Sequence, residues 1–135
     1  MPGHPTMIED METRIREQAL AAEEHLLSEG WTHLASGRER RVFSHPERTD
    51  MVAKVPTSPE GFASCLREAD LSEGEGKRGF TPIADCRLDD EHMILWMERV
   101  EVYAGDRSSL PRWTMSVDCA QVGYDRSGTL VAYDL

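Results

Sequence analysis

Met51-Val52-Ala53-Lys54-Val55, stopped by Pro56, decides how the rest of this chain is read. Four apolar residues around one lysine make a short strand, and proline ends it because it has no N–H to donate. Upstream, residues 31–36 and 41–45 read as two more strands. They are joined by a polar turn that opens at Gly37, and a breaker-rich turn, Pro46-Glu47-Arg48-Thr49-Asp50, leads into the third. Three strands with short turns form an antiparallel meander. Downstream, Ser58 followed by Pro59 predicts a helix start, with Ser58 as N-cap and Pro59 in the first turn. Phe62, Cys65, Leu66 and Ala69 are its predicted apolar positions, and Gly74-Glu75-Gly76-Lys77-Arg78-Gly79 is a loop.

The pattern extends to both ends. Ile8, Met11, Ile15, Ala19, Ala22 and Leu26 recur at steps of three and four, which draws one apolar stripe on a helix of about twenty residues. Thr6 is its predicted N-cap and Gly30 its stop. Residues 83–88 and 92–98 read as two further strands around the turn Asp89-Asp90-Glu91. The second is almost continuously apolar, as in a strand covered on both faces. Residues 121–124 and 129–133 form a hairpin around Asp125-Arg126-Ser127-Gly128, a turn by its chemistry. The expected class is α+β: an N-terminal amphipathic helix (residues 1–30), then one compact unit (residues 31–135). That unit holds five mostly antiparallel strands, one packed helix and a C-terminal β-hairpin.

The chain has 135 residues, with 15 basic against 25 acidic side chains and a net charge of −10. That balance excludes a binder of nucleic-acid backbone, which needs a basic footprint, and disfavours an anionic membrane surface. No apolar run is long enough to span a bilayer, and Met1-Pro2-Gly3-His4-Pro5 lacks the layout of a signal peptide. Cys65, Cys86 and Cys119 are odd in number and scattered. They are expected reduced, mostly buried, in a cytoplasmic protein. The five histidines have no metal spacing, and Trp31, Trp96 and Trp113 suit packing better than a ligand platform.

In this order, the elements resemble the small lobe of a protein-kinase-like fold, extended to the start of the activation segment. Leu34-Ala35-Ser36-Gly37 with Val42 is similar to the nucleotide-covering turn, and Lys54 to the strand lysine that contacts phosphates. Glu68 stands fourteen residues after Lys54, where that family places the lysine's carboxylate partner. The run Ile94-Leu95-Trp96-Met97-Glu98-Arg99-Val100 resembles the strand leading into the hinge. Gln121, Gly128 and Asp134 have the spacing of the metal-binding asparagine, turn glycine and metal-binding aspartate. The resemblance therefore implies a nucleotide site of Lys54, Glu68, Met97, Glu98 and Val100, with Mg²⁺ held by Gln121 and Asp134.

The departures shift the expectation away from catalysis. The turn keeps only Gly37, and Glu39 and Arg41 stand where further glycines would let the backbone approach phosphate. Ser116 occupies the place of the catalytic aspartate, Asp118 is out of step, and the acceptor lobe is missing. The expected function is thus a non-catalytic, acidic binding protein on a degraded kinase-like scaffold, with no cofactor. It would act by protein–protein contact, on the analogy of phage- or mobile-element inhibitors of a host defence or nucleic-acid enzyme. Asp89, Asp90 and Glu91 are the candidate partner-binding residues, and a homodimer through the exposed lower face is a further expectation. The alternative is an ATP- and Mg²⁺-dependent nucleotide binder or minimal phosphotransferase using Lys54, Glu68 and Asp134. An open cleft beneath the first turn favours that alternative, whereas one plugged by Trp, Met or Phe favours binding alone.

Overall fold

The computed structural model describes residues 7–73, 82–117 and 121–133. Helix α1 (Met7–Ser28) precedes strands β1 (Thr32–Ser36), β2 (Arg40–Ser44) and β3 (Met51–Pro56), then helix α2 (Pro59–Glu73). Strands β4 (Cys86–Leu88), β5 (Leu95–Glu98) and β6 (Glu101–Val102) follow, then two 3₁₀ turns (Arg107–Ser109 and Arg112–Ser116) and the hairpin β7 (Val122–Tyr124) and β8 (Leu130–Ala132). The expected Thr6 cap, the 74–79 loop, Asp118, Cys119 and Asp134 lie outside the described residues.

The larger sheet has the order β1-β2-β3-β5-β4 and is antiparallel throughout, so β3 sits in its middle. Alternation along β3 divides the core. Ala53 and Val55 face α1, where they pack with Ala19, Ala22, Leu26, Trp31, Phe43 and Ile94. Val52 faces the other way, into a cluster with Cys65 and Ala69 of α2, Cys86, Leu95, Met97 and Val131. The α1 stripe is therefore spent on the sheet, which it covers with Ile15, Ala19, Ala22 and Leu26 all buried.

Gly30 ends α1 with φ of 91°. Its N–H bonds Leu27 O at 3.2 Å, and Trp31 N–H bonds Leu26 O at 3.0 Å, so these two carbonyls of the last turn are capped. Trp31 then packs against Leu26, and this fixes where the first strand begins.

Three expectations are corrected. The strand predicted over 83–88 is only Cys86–Leu88, because Ile83 and Ala84 turn aside to meet Ala132 of the hairpin. The strand predicted over 92–98 starts at Leu95, because Glu91 and His92 N–H groups are taken by the Asp89 carboxylate instead of a ladder. The hairpin is one part of a three-stranded sheet, β6-β7-β8, which Glu101 and Val102 complete.

Candidate functional site

A cleft of about 780 Å³ opens between the β1–β2 turn, the inner face of β3 and the segment after β5. Its volume lies within the range of small-ligand sites. Leu34, Val42, Val52, Met97 and Val100 supply apolar walls, and no Trp or Phe is among the described residues that line it. Lys54, Met97, Glu98, Val100 and Gln121, predicted separately along the chain, all line this one cleft.

Sheet register explains why Lys54 points inward. Val42 lies opposite Lys54, and Arg40 opposite Pro56, so Arg40, Val42, Val52 and Lys54 share one face. Across that face runs α2, whose first turn is capped by Ser58 Oγ accepting from Gly61 N–H at 3.1 Å. The buried side of α2 carries Gly61, Cys65, Glu68, Ala69 and Ser72. Leu66, expected in the core, is 44% exposed. The helix is rolled so that Glu68 rather than Leu66 faces the sheet, and two cations make that affordable.

Lys54 is 5% exposed, and its Nζ donates to Glu68 Oε1 at 3.2 Å. The expected pair is therefore formed. Glu68 has no solvent exposure, and its other oxygen, Oε2, lies 2.7 Å from Arg40 Nη1. Arg40 and Glu68 thus form a buried ion pair. Lys54 Nζ also donates to the carbonyl of Tyr133, which ties the lysine to the end of the hairpin. A buried carboxylate persists as an anion only when it is paired in this way. Nearby Cys65 is pushed up by burial, against the pull of Arg40, and Cys86 is raised to about 11, again chiefly by burial. Both thiols are free and buried.

Arg40 had no signal in the sequence: within Arg38-Glu39-Arg40-Arg41 it reads as one of several turn charges. Only its register on β2 singles it out. The β1–β2 turn itself is pinned. Gly37 N–H bonds Arg40 O at 2.8 Å, and Thr57 N–H bonds Glu39 O at 2.8 Å.

The other predicted residues divide. Glu98 lines the cleft, but its Oε1 accepts the Arg126 N–H at 2.9 Å, which fastens the end of β5 to the hairpin turn. Gln121 lines the cleft, while Asp134, its expected metal partner, is outside the described residues. Among the described residues no group of three or more His, Cys, Asp or Glu side chains could hold a metal ion. Asp89, Asp90 and Glu91 are not part of the cleft. Asp89 organises the β4–β5 turn, while Asp90 and Glu91 are exposed.

Charge in the cleft runs against the charge of the chain. Of its charged lining residues, Arg38, Arg40, Lys54 and Arg99 are cationic and Glu39 and Glu98 acidic, in a chain of net charge −10. An anion approaching this wall meets more cations than the whole-chain charge implies. No helix among the described residues is long and apolar enough to cross a membrane. Compared with protein-family models, curated proteins and solved structures, the chain matches none.

Proposed function

We propose that this chain is a non-catalytic, kinase-like binding domain whose cleft takes a nucleoside phosphate. The observation that carries the reading is the Lys54–Glu68 pair, formed at 3.2 Å in the wall of an open cleft. In this reading the apolar residues Leu34, Val42, Val52 and Val100 hold the base, and Lys54 with Arg38 at the rim meets the phosphates. Mg²⁺, when bound with the nucleotide, would neutralise phosphate charge beside Gln121 and Asp134. The strand order β1-β2-β3-β5-β4 with α2 between β3 and β4 supports a kinase-like small lobe. The domain is read as non-catalytic because Ser116 stands where the resemblance places the catalytic aspartate. Buried, reduced Cys65 and Cys86 suit a reducing compartment such as the cytoplasm.

Melting the protein with and without Mg·ATP tests this. A nucleotide at one hundred times its Kd stabilises the folded state by about 2.7 kcal/mol, and Lys54→Ala is expected to remove most of that gain. An unchanged melting temperature at millimolar Mg·ATP overturns the reading.

A second reading, action by contact with a protein partner or a second copy, has its own observation. Val102 is 59% and Met115 85% exposed, and Tyr124 stands partly exposed beside Tyr103, all around the hairpin sheet. Mass measured in solution at high concentration tests the self-pairing version, and a strict monomer counts against it. Loss of partner binding in high salt is expected if the acidic surface competes for a basic groove.

A further inference from the structure

We propose that Arg40 is a positioning residue: it gives Glu68 a second counter-charge, so that Lys54 can turn to a ligand's phosphate without leaving a bare buried carboxylate. The proposal rests on the nucleotide reading given above. Its own ground is the geometry of three side chains. Arg40 on β2 and Lys54 on β3 share one face of the sheet, and each takes a different oxygen of Glu68, Nη1 to Oε2 at 2.7 Å and Nζ to Oε1 at 3.2 Å. Arg40 Nη1 is also 3.9 Å from Cys65 Sγ, one turn back along α2, so the guanidinium lies along the helix rather than out in solvent.

The two cations are not equivalent. Both line the cleft, but Lys54 also bonds the Tyr133 carbonyl and is the cation that the nucleotide reading assigns to the phosphates. Taking one partner from a buried ion pair is strongly destabilising, which would oppose any ligand that draws Lys54 away. With Arg40 in place, Glu68 keeps a counter-charge while Lys54 is engaged elsewhere. Arginine is suited to this because it stays protonated at every relevant pH, whereas a buried lysine can lose its proton. The titratable or charged groups that face Glu68 are Arg40 from β2, Lys54 from β3, Cys65 on α2 itself and Cys86 from β4; the Tyr133 carbonyl completes the surroundings of Lys54.

The test compares wild type with Arg40→Met and Arg40→Lys between pH 5 and 9, by melting temperature and by calorimetric titration with Mg·ATP. Without Arg40, a charged Glu68 in the fold has lost a counter-charge, whereas in the unfolded chain water solvates it. The deficit in melting temperature of Arg40→Met against wild type should therefore be small near pH 5 and grow towards pH 8. Its Mg·ATP affinity, relative to wild type at the same pH, should fall about tenfold near pH 8, where drawing Lys54 away strands a bare buried carboxylate, and recover towards pH 5. Arg40→Lys should restore both only in part, and least at the alkaline end, because a buried lysine can lose its proton. If Arg40→Met alone does not fold, the same change in a Glu68→Gln background should, with its extra penalty gone. A pH-independent deficit, or wild-type Mg·ATP affinity at every pH, overturns the proposal. If wild type itself binds no Mg·ATP, the nucleotide reading fails, and the melting profiles alone decide whether Arg40 is a counter-charge to Glu68.

Discussion

Trp96 Nε1 donates to Asp89 Oδ1 at 3.0 Å, so the indole of strand β5 holds the carboxylate that builds the turn before it. The other oxygen, Oδ2, accepts the N–H groups of Glu91 at 3.0 Å and His92 at 2.8 Å. An acidic run that reads in sequence as a charged surface thus has its first member used internally.

Asp89 makes stability depend on acid. Partial burial opposes ionisation, but the bonds from Trp96, His92 and Glu91 outweigh it and hold the carboxyl at about 2, below its ordinary 3.8. A depressed carboxylate stabilises the fold above its unfolded value, and that contribution is lost as pH falls through 4 towards 2. Solvent reaches this turn, so the contribution is about 1 kcal/mol. Asp89→Asn should lower the melting temperature at pH 7, and thermal scans at pH 2 should show the two proteins converging. A gap that stays constant from pH 7 to pH 2 would count against this role.

The α+β layout, the three-stranded meander and the docking of α1 were legible because each rests on local periodicity. Period-two stretches became strands, and the Ile15-Ala19-Ala22-Leu26 stripe became a buried face. Lys54 and Glu68 were legible only through their spacing within a resemblance. The rest was not, for physical reasons. Nothing local tells that α2 rolls Leu66 outward and Glu68 inward, because the two cations that make this favourable come from β2 and β3. Strand β6 is two residues long and exists only because β7 offers it an edge. Arg40 differs from Arg38 and Arg41 only in register.

The roll of α2 makes a contrast between neighbours. Leu66→Gln should change stability by no more than about 0.5 kcal/mol, as expected for an exposed site. Ala69→Gln places an amide in the cluster beneath β3 and β5 and should cost about 2–4 kcal/mol. Urea denaturation of both variants checks this, and equal losses would mean that the helix is seated differently.

Gly61 is needed for close approach, not for helix flexibility. A Cβ there would stand 2.1 Å from Glu39 O, the same carbonyl that accepts the Thr57 N–H. Alanine ordinarily favours a helix over glycine by about 1 kcal/mol. Here the contact is with backbone and cannot be relieved by a side-chain rotation, so Gly61→Ala should be destabilising by about 1–3 kcal/mol. Because the displaced carbonyl belongs to the β1–β2 turn, the same variant should weaken Mg·ATP binding. A stabilised Gly61→Ala protein would show that the turn and α2 are not packed together.

Trp31 and Leu34 sit three residues apart and should fail in opposite ways. Trp31 is buried against Leu26 and Trp96, and Trp31→Ala should cost about 3–5 kcal/mol through the cavity it leaves. Leu34 is 50% exposed and lines the cleft, so the unliganded fold draws little from it. Covering its side chain with a bound base is worth about 1 kcal/mol, or about fivefold in Kd. Leu34→Ala should therefore leave the unliganded melting temperature within about 2 °C of wild type and weaken Mg·ATP about fivefold. Titration calorimetry beside thermal scans separates the two effects. A Leu34→Ala protein that melts early yet binds Mg·ATP as wild type would assign Leu34 to the core and remove it from the base pocket.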